Sequence, residues 1–445
     1  MTLNGPDAEV LALRREAVVA ALEISKGVLL LPRVPAAVYS ADVHYRYRTA
    51  SNIRYLSGFE EPAALVLSAS GHEDGYTLFV QPRDPEAETW TGRRAGVEGA
   101  SAEYGADHAY PLDQLHEVLE KHLADAERLY YGYGICGETD RAVLDLVHRV
   151  NSTRPRRGGA PIEITEAGAI LDEMRLFKSR EEVELLQRAC EISAAAHARL
   201  METVTPGMTE YQAEAYLEHA FRDAGCAGPA YGTIAAGGVN ATVLHYTSNN
   251  RPLEVNDLVL VDAGGEYGGY CADITRTFPV GGSYSPAQAR LYDLVLAAQE
   301  AAVAKAGPGV AHEDVHMTAV RILTAGMIEL GLIAGSVDES IETESYKTFY
   351  MHGTSHWLGM DVHDVGSYKP DGSSRKLEPG IVLTVEPGIY IREDADAPEE
   401  LRGIGIRIED DVLITEDGRE VLTARCPKKR TEIEKLRAKA LSVAT

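Results

Sequence analysis

The chain contains little cysteine and no cysteine pair of the kind that binds zinc. Its 445 residues include five cysteines, which are odd in number, widely spaced and without a C-x-x-C motif. This pattern argues against a disulfide framework and against a thiolate-rich zinc site. It is typical of reduced thiols, so we expect the protein to reside in the cytoplasm.

Targeting signals and positive charge are also scarce. The first residues, MTLNGPDAEVLALRREAV, show neither an apolar signal core nor a cleavage site, and no apolar run approaches membrane length. The 43 Lys and Arg residues are outnumbered by 68 Asp and Glu residues, which gives a net charge of −25. We therefore expect no membrane and no nucleic acid as partners, because both favour a positively charged surface.

Length and composition predict two domains. A chain of 445 residues exceeds what one hydrophobic core usually organises, and 45% apolar residues are enough to fill two cores. Residues 1–172 alternate short strand and helix patterns, which predicts a small α/β domain. Residues 173–445 form the second predicted domain, whose first long helix begins at a capping box, Ser179 to Glu182. The predicted fold class is α/β (α+β).

What the chain does contain is a duplicated stretch that ends in an acid. Residues 253–264, LEVNDLVLVDAG, and residues 377–388, LEPGIVLTVEPG, share Leu, Glu, Val and the final Gly in register. They deliver Asp262 and Glu386 at the same place. A run that is apolar on both faces predicts a buried strand, where acids are almost never found unless paired or bound to a cation. Both acids therefore need a counter-charge.

A second acid follows each copy on a predicted returning strand: Asp273 after the first and Glu409 after the second. If residues 259–263 pair with residues 270–276 through a turn at Tyr267-Gly268, Asp262 faces Asp273 directly across the ladder. Directly opposed positions place Cβ atoms about 4.5–5.5 Å apart, where like charges repel. A bound metal would turn this repulsion into ligation.

The segment 351–364 offers three histidines as further ligands, His352, His356 and His363. Gly353 and Gly359 interrupt any helix there, so the segment is not the paired-histidine motif of a zincin. Four carboxylates and one imidazole form a hard, oxygen-rich set that suits Mn, Co or Fe(II) more than structural zinc. Carboxylates that bridge two metals about 3.5–4 Å apart support hydrolysis.

These motifs resemble those of the pita-bread metallopeptidases, and their wording is most similar to aminopeptidase P. The matching pieces are LHY around His245, VDAG with ADITRTF, HGTSHWLGMDVHD, TVEPGIYI and GIRIED. YRTASN, YLSGFEEP and WTGRR resemble the amino-terminal domain of the same family. The resemblance implies a pita-bread catalytic domain over residues 173–445, with an internal pseudo-two-fold duplication, and a smaller α/β amino-terminal domain over residues 1–172.

The resemblance also implies a dinuclear metal centre and a set of site residues. The implied ligands of the two divalent ions are Asp262, Asp273, His356, Glu386 and Glu409, with Asp273 and Glu409 bridging. Mn(II) is the expected metal, and Co(II), Fe(II) and Zn(II) are alternatives. The residues with implied catalytic roles are His245, His352, His363, Glu386 and Arg407, and those with implied substrate contacts are Trp90, Tyr390, His245 and His352.

Particular roles follow for three of these residues. Glu386 would pass a proton between water and the leaving nitrogen, and His245 or His363 would stabilise the oxyanion. Arg407 would hold the bridging carboxylates through an ion pair. From the residues alone, Trp90 fits packing at an interface as well as a substrate contact.

The implied activity is hydrolysis of the first peptide bond in peptides with proline at position two. Prolidase, which cuts only dipeptides, shares the ligands and stays open as an alternative. Methionine aminopeptidase is disfavoured because it does not need this amino-terminal domain. A metal-free member of the fold, used as a binding module or as a creatinase-like enzyme, would lack ligands that are all present here. The resemblance further implies a homodimer or homotetramer.

Overall fold

The computed structural model describes residues 5–69, 75–157 and 159–443. The chain forms two compact units, Met1–Met174 and Arg175–Thr445. Within the described ranges, each helix is too short or too polar to cross a bilayer.

The first unit is built on a six-stranded mixed sheet. The strands of the whole unit, inside and outside this sheet, are β1 (Gly27–Leu31), β2 (Val38–Ser40), β3 (Val43–His44), β4 (Ala63–Ser68), β5 (Tyr76–Val80), β6 (His108–Pro111), β7 (Arg128–Tyr131) and β8 (Glu163–Glu166). Its helices are α1 (Ala8–Ser25), α2 (Ser51–Ser57), α3 (Pro85–Thr91), α4 (Gly96–Tyr104), α5 (Leu115–Leu123), α6 (Gly137–Thr153) and α7 (Gly168–Leu176), the last of which contains the division between the units.

The strand order in this sheet is β6-β5-β4-β1-β7-β8, and β2 and β3 form a separate exposed hairpin. Strands β1, β4 and β5 are buried along their whole length. Sequences such as GVLLL and AALVLS suit this position, because a central strand covered on both faces needs apolar residues on both.

The second unit contains the duplicated stretches. Its strands are β9 (Gly228–Pro229), β10 (Ile234–Gly237), β11 (Leu258–Asp262), β12 (Gly265–Tyr267), β13 (Tyr270–Cys271), β14 (Thr275–Pro279), β15 (Val382–Val385), β16 (Gly388–Ile391), β17 (Ile404–Arg407), β18 (Asp410–Thr415) and β19 (Gly418–Val421). Its helices are α8 (Arg180–Thr203), α9 (Glu210–Asp223), α10 (Pro286–Lys305), α11 (His312–Glu329), α12 (Val337–Glu342) and α13 (Arg430–Val443).

Helix α8 begins at the predicted capping box. The Glu182 N–H donates to Ser179 Oγ at 3.4 Å, and the Ser179 N–H donates to Glu182 Oε2 at 3.0 Å. These bonds satisfy main-chain donors that have no partner within the first turn.

The two duplicated stretches fold as two antiparallel hairpins. In the first, β11 pairs with β14 and β12 with β13; in the second, β15 pairs with β18 and β16 with β17. The ladder breaks after Asp262 in the first hairpin and at Glu386 in the second, and it resumes beyond each break in unchanged register. Buried residues of β11 and β15 contribute to one common apolar core.

The register of the first hairpin differs from the predicted one. Asp262 pairs with Thr275 and not with Asp273. Asp273 lies two positions earlier on the returning strand, so the two acids share a sheet face as diagonal neighbours. The prediction that they oppose each other directly was wrong.

The reason lies in the turn. Its two central residues are Gly268 and Gly269, with φ of 59° and 90°, and the last pair before it is Tyr267 with Tyr270. Successive positive φ values are typical of a two-residue type I′ turn, which glycine adopts without steric cost. Placing this turn one residue later than predicted moves the register by two residues.

Candidate metal centre

A cavity of about 490 Å³ opens where the two hairpins are interrupted. Its walls include nine of the side chains singled out from the sequence: Asp262, Asp273, His356, Glu386, Glu409, His245, His352, His363 and Arg407. The acids come from the strand breaks, and the histidines come from the segments before β11 and β15.

The predicted ligands converge around His356. Its Nε2 atom lies 3.4 Å from Asp273 Oδ2 and 3.6 Å from Glu386 Oε1. Ligand atoms of Asp273, His356 and Glu409 all lie within 4.8 Å of one another. The ladders that flank the second break pair Val385 with Asp410 and Gly388 with Arg407, and this register places Glu386 opposite Glu409.

The orientation of His356 is set by its own chain. Its Nδ1 atom lies 3.0 Å from the main-chain oxygen of Trp357, so the proton belongs on Nδ1. In the neutral ring, Nε2 then carries a lone pair directed at the carboxylates. This is the arrangement in which a histidine binds a metal, because a main-chain partner fixes both the tautomer and the ring.

The carboxylates carry more negative charge than their surroundings balance. Burial raises the pKa of Glu386 to about 7, against the opposing influence of His356 and Arg407. Burial, with the charges of Asp273 and Glu386, raises the pKa of Glu409 well above its usual value. Burial also raises the pKa of Asp262, although Arg407 acts against it. The donor set therefore fits divalent cations, which would satisfy these acids.

The pKa of His356 is also raised, which for an imidazole favours the charged form. Burial lowers its pKa, but the hydrogen bond and charge of Asp273 and the charge of Glu386 outweigh burial and raise it to about 9. In the metal-free protein the imidazole thus takes a positive charge beside the acids. A proton occupies the place that the donor geometry offers to a metal.

Arg407 pairs with a different acid from the one expected. Its Nη2 donates to Asp262 Oδ2 at 2.6 Å, and its Nε donates to Thr275 Oγ1 at 3.1 Å. The Thr275 hydroxyl in turn donates to Glu409 Oε2 at 2.7 Å. The threonine therefore stands between Arg407 and Glu409, and the ion pair forms with Asp262 instead of with the acids that were predicted to bridge the ions.

Tyr390 contacts the site through its neighbours. It is 2% exposed, its hydroxyl accepts from Arg407 Nη1 at 2.9 Å, and it lies 2.8 Å from His352 Nε2. Burial raises its pKa to about 12. His352 Nδ1 lies 2.7 Å from the main-chain oxygen of Gly353, so the tyrosine donates to Nε2. Burial, followed by the charge of Arg407, lowers the pKa of His352 to about 3 and keeps it neutral.

The remaining predicted residues lie in three places. The His363 ring packs edge-on against the His356 ring, with centroids 4.4 Å apart, and burial lowers its pKa. His245 lies on the cavity wall, in the connection from β10 to β11. Trp90 belongs to the first unit, where it is 85% exposed on α3.

Tyr231 is a site residue that the sequence did not indicate. Its hydroxyl lies 2.6 Å from Asp262 Oδ1 and 2.5 Å from Asp273 Oδ1. The phenol therefore sits between the two diagonal acids. No motif marks it, and the only available signal was its place just before β10, which pairs with β11.

The sequence and the structure are both similar to those of characterised peptidases. Residues 184–416 match metallopeptidase family M24, and residues 11–130 match the aminopeptidase P N-terminal domain. The chain is 44% identical over 425 residues to the Xaa-Pro aminopeptidase of Escherichia coli strain K12, covering 95% of this chain and 96% of that protein.

Solved structures agree closely. The aminopeptidase PepP of Pseudomonas aeruginosa superposes with a TM-score of 0.94 at 44% identity, over 99% of this chain and 100% of that one. A zinc-substituted Escherichia coli aminopeptidase P in complex with product gives a TM-score of 0.93 at 43% identity, over 98% and 99% of the two chains. The predicted fold class is confirmed, and the chain belongs to metallopeptidase family M24 and carries an aminopeptidase P amino-terminal domain.

Proposed function

We propose that this protein is a Xaa-Pro aminopeptidase, which uses two divalent metal ions to release the first residue from peptides with proline at position two. One observation carries the proposal. The acids of two separate hairpins and an imidazole whose Nε2 is directed at them meet in a single cavity large enough for a short peptide.

The proposed metal ligands are Asp262, Asp273, His356, Glu386 and Glu409, with Asp273 and Glu409 shared between the ions. Four carboxylates and one imidazole favour Mn(II), with Co(II), Fe(II) and Zn(II) as alternatives. When bound, such ions lower the pKa of water from 15.7 to about 7 and polarise a carbonyl oxygen.

Glu386 is the proposed proton carrier. Its Oε1 lies 3.6 Å from His356 Nε2, and its Oε2 lies 3.7 Å from His352 Nδ1. Burial favours its protonated form. A carboxyl group that gains and loses a proton readily suits transfer to the leaving nitrogen.

His245 and His363 are the proposed donors to the oxyanion. Both nitrogens of His352 are already engaged, by Gly353 and by Tyr390. This leaves His245 and His363 on the cavity wall to stabilise charge on the carbonyl oxygen. His352 then contributes a fixed wall for the substrate, and Tyr390 and Arg407 hold it in place.

An apolar part of the cavity accounts for the preference for proline. Ile234, Leu244 and Val362 line it beside the acids. The nitrogen of an Xaa-Pro bond carries no N–H, so the site gains nothing from an acceptor at that point. A compact apolar wall suits the pyrrolidine ring instead.

The proposal extends to organisation and location. Residues 173–445 act as the catalytic domain, and residues 1–172 as the aminopeptidase P-like domain, which carries Trp90. We expect a homodimer or homotetramer, and light scattering that detects only monomers at working concentration would contradict this. A cytoplasmic location is supported by the cysteines in the described residues, none of which forms a disulfide.

Three peptides test the activity: an Xaa-Pro-Yaa tripeptide, an Xaa-Pro dipeptide and an Xaa-Ala-Yaa tripeptide. We expect cleavage of the first alone, loss of that cleavage with chelator and its return with Mn(II). Cleavage confined to the dipeptide would identify a prolidase. A metal-loaded protein that binds the peptides and cuts none of them would identify a binding module.

A further inference from the structure

We propose that His312 and His316, one turn apart on α11, are positioning residues for the reaction. Each bonds a hydroxyl group in the segment that carries His356, and together they fix that segment against β15. The inference rests on the proposed function, because it concerns the orientation of a metal ligand and of the proton carrier.

Main-chain bonds to β15 hold one edge of residues 354–356, which lead to and include His356. The Glu386 N–H donates to the Thr354 carbonyl at 2.8 Å, and the Thr384 N–H donates to the His356 carbonyl at 2.9 Å. The segment thus runs along β15 without being a regular strand, and Gly353 lies directly before it. Thr354 and Ser355 are held in addition by side-chain bonds to α11.

His316 holds the segment at Thr354. Its Nδ1 lies 2.7 Å from Thr354 Oγ1, and Tyr350 Oη lies 2.6 Å from the same oxygen. A threonine hydroxyl donates one hydrogen bond and accepts up to two, so both contacts are satisfied together. Thr354 is 1% exposed, and its carbonyl is the acceptor for the Glu386 N–H. The imidazole therefore acts on Glu386 through one intervening residue.

His312 holds the next residue. Its Nε2 lies 2.6 Å from Ser355 Oγ, and Ser355 lines the cavity immediately before His356. The His312 ring packs against two aromatic rings that stack on each other, with centroids 4.8 Å from that of Trp357 and 5.0 Å from that of Tyr368. This packing fixes the imidazole, so its bond to Ser355 sets the position of the chain.

The spacing of the two histidines matches the segment. Side chains four residues apart lie on one face of a helix. Here that face meets Thr354 and Ser355, two consecutive residues that lead into a metal ligand. Loss of the His312 bond removes a partner of the Ser355 hydroxyl, and loss of the His316 bond leaves Thr354 with the Tyr350 contact. Either loss lets the segment shift. A misplacement of about 1 Å far from the chemistry can cost about 10²-fold in rate.

Alanine and amide variants of the full chain test the inference. His312→Ala and His316→Ala remove the bonds, whereas His312→Gln and His316→Asn place an amide near the original Nε2 and Nδ1. His219→Ala changes an exposed histidine of α9 and serves as the matched control. Four quantities are measured: Mn(II) affinity by competition with a chelator, kcat and KM on an Xaa-Pro-Yaa tripeptide, and the thermal midpoint of the metal-free protein.

We expect each alanine variant to lose about tenfold in Mn(II) affinity and in kcat, the low end for residues that orient metal ligands. KM should change less than twofold, the amide variants should recover most of the loss, and the control should match the wild type. Thr354→Val, which keeps the side-chain shape, should reproduce His316→Ala and serves if an alanine variant does not fold.

A merely structural role would give a different result. Alanine variants with a lowered thermal midpoint but wild-type metal affinity and kcat would overturn the inference, and so would amide variants that recover neither. If the wild type cleaves no Xaa-Pro peptide, the proposed activity fails while the metal affinities still test the positioning role.

Discussion

The two hairpins of the second unit use the same chain pattern to build different charge environments. In the first, Asp262 and Asp273 are diagonal neighbours, the Tyr231 hydroxyl lies between them, and Arg407 neutralises Asp262. In the second, Glu386 and Glu409 stand opposite each other.

The pKa values follow this division. Burial is the leading cause for each of the three shifted acids, and Arg407 opposes it as the second largest influence at Asp262, the third at Glu386 and the fifth at Glu409. At Glu409 the neighbouring acids add to burial instead. The duplicated sequence thus places the acids, and the opposing charge of Arg407 ranks higher among the causes at Asp262 than at Glu386 or Glu409.

Removal of an acid from the first hairpin should have the largest effect. Asp273→Asn takes away a proposed bridging carboxylate, and we expect loss of at least one metal ion per chain. The fall in activity should exceed the about 10–100-fold typical of residues that only orient a ligand. Elemental analysis after anaerobic reconstitution measures the stoichiometry, with exposed Asp394→Asn as the control. Unchanged stoichiometry would remove Asp273 from the site.

Removal of the Arg407 guanidinium should remove the positive charge that distinguishes the first hairpin from the second. Arg407→Ala leaves Asp262 buried and unpaired, a change that costs about 3–5 kcal/mol for a buried ion pair. Denaturant unfolding of the metal-free protein measures this, and Arg425→Ala, at a 79% exposed side chain, is the control. The double variant Arg407→Ala, Asp262→Asn should recover part of the loss. A loss below about 1 kcal/mol would show that the pair does not stabilise the fold.

The second hairpin should make the metal-free protein less stable as pH rises. Burial raises the pKa of Glu386 from 4.5 to about 7, so between these values the folded protein keeps a proton that the unfolded chain has released. The favourable contribution is present at the low end of this window and is lost as pH rises through it.

Because one pKa unit corresponds to about 1.4 kcal/mol, the loss is on the order of 3 kcal/mol. Glu386→Gln should remove this part of the decline between pH 5 and pH 8, measured by urea unfolding of the metal-free protein. Exposed Glu393→Gln should retain it. Equal declines in wild type and Glu386→Gln would contradict the assignment.

The smallest expected effect comes from the phenol of the first hairpin. Tyr231→Phe removes the hydroxyl between Asp262 and Asp273 and should destabilise the metal-free protein by about 1–2 kcal/mol. Tyr211→Phe, at a residue that is 53% exposed, should change stability little. If Tyr231→Phe is neutral, the diagonal acids do not depend on that contact.

Local patterns in the sequence were enough to predict the strands and the acids that follow them. They were not enough to predict contacts between elements that are far apart in the chain. The duplicated stretch predicted both hairpins, because apolar periodicity and a terminal acid are readable within twelve residues. The register was not predicted correctly because it depends on which two residues form the turn. In the structure these residues are Gly268 and Gly269. The role of Tyr231 and the partner of Arg407 were not predicted, because each of these contacts joins chain segments that are far apart in sequence. His312 and His316 belong to no motif and become visible only where α11 meets its neighbour.

The bond from Arg407 to Asp262 and the bond from Thr275 to Glu409 run in opposite directions between the hairpins. Each half of the duplication thus supplies a hydrogen-bond donor to an acid of the other half. A fragment with only one hairpin would keep its acids but lose the hydrogen-bond donor that the other hairpin supplies to one of them. Assembly of the two halves should therefore precede metal capture, and a chain split between α11 and α12 should acquire metal only after its pieces have joined.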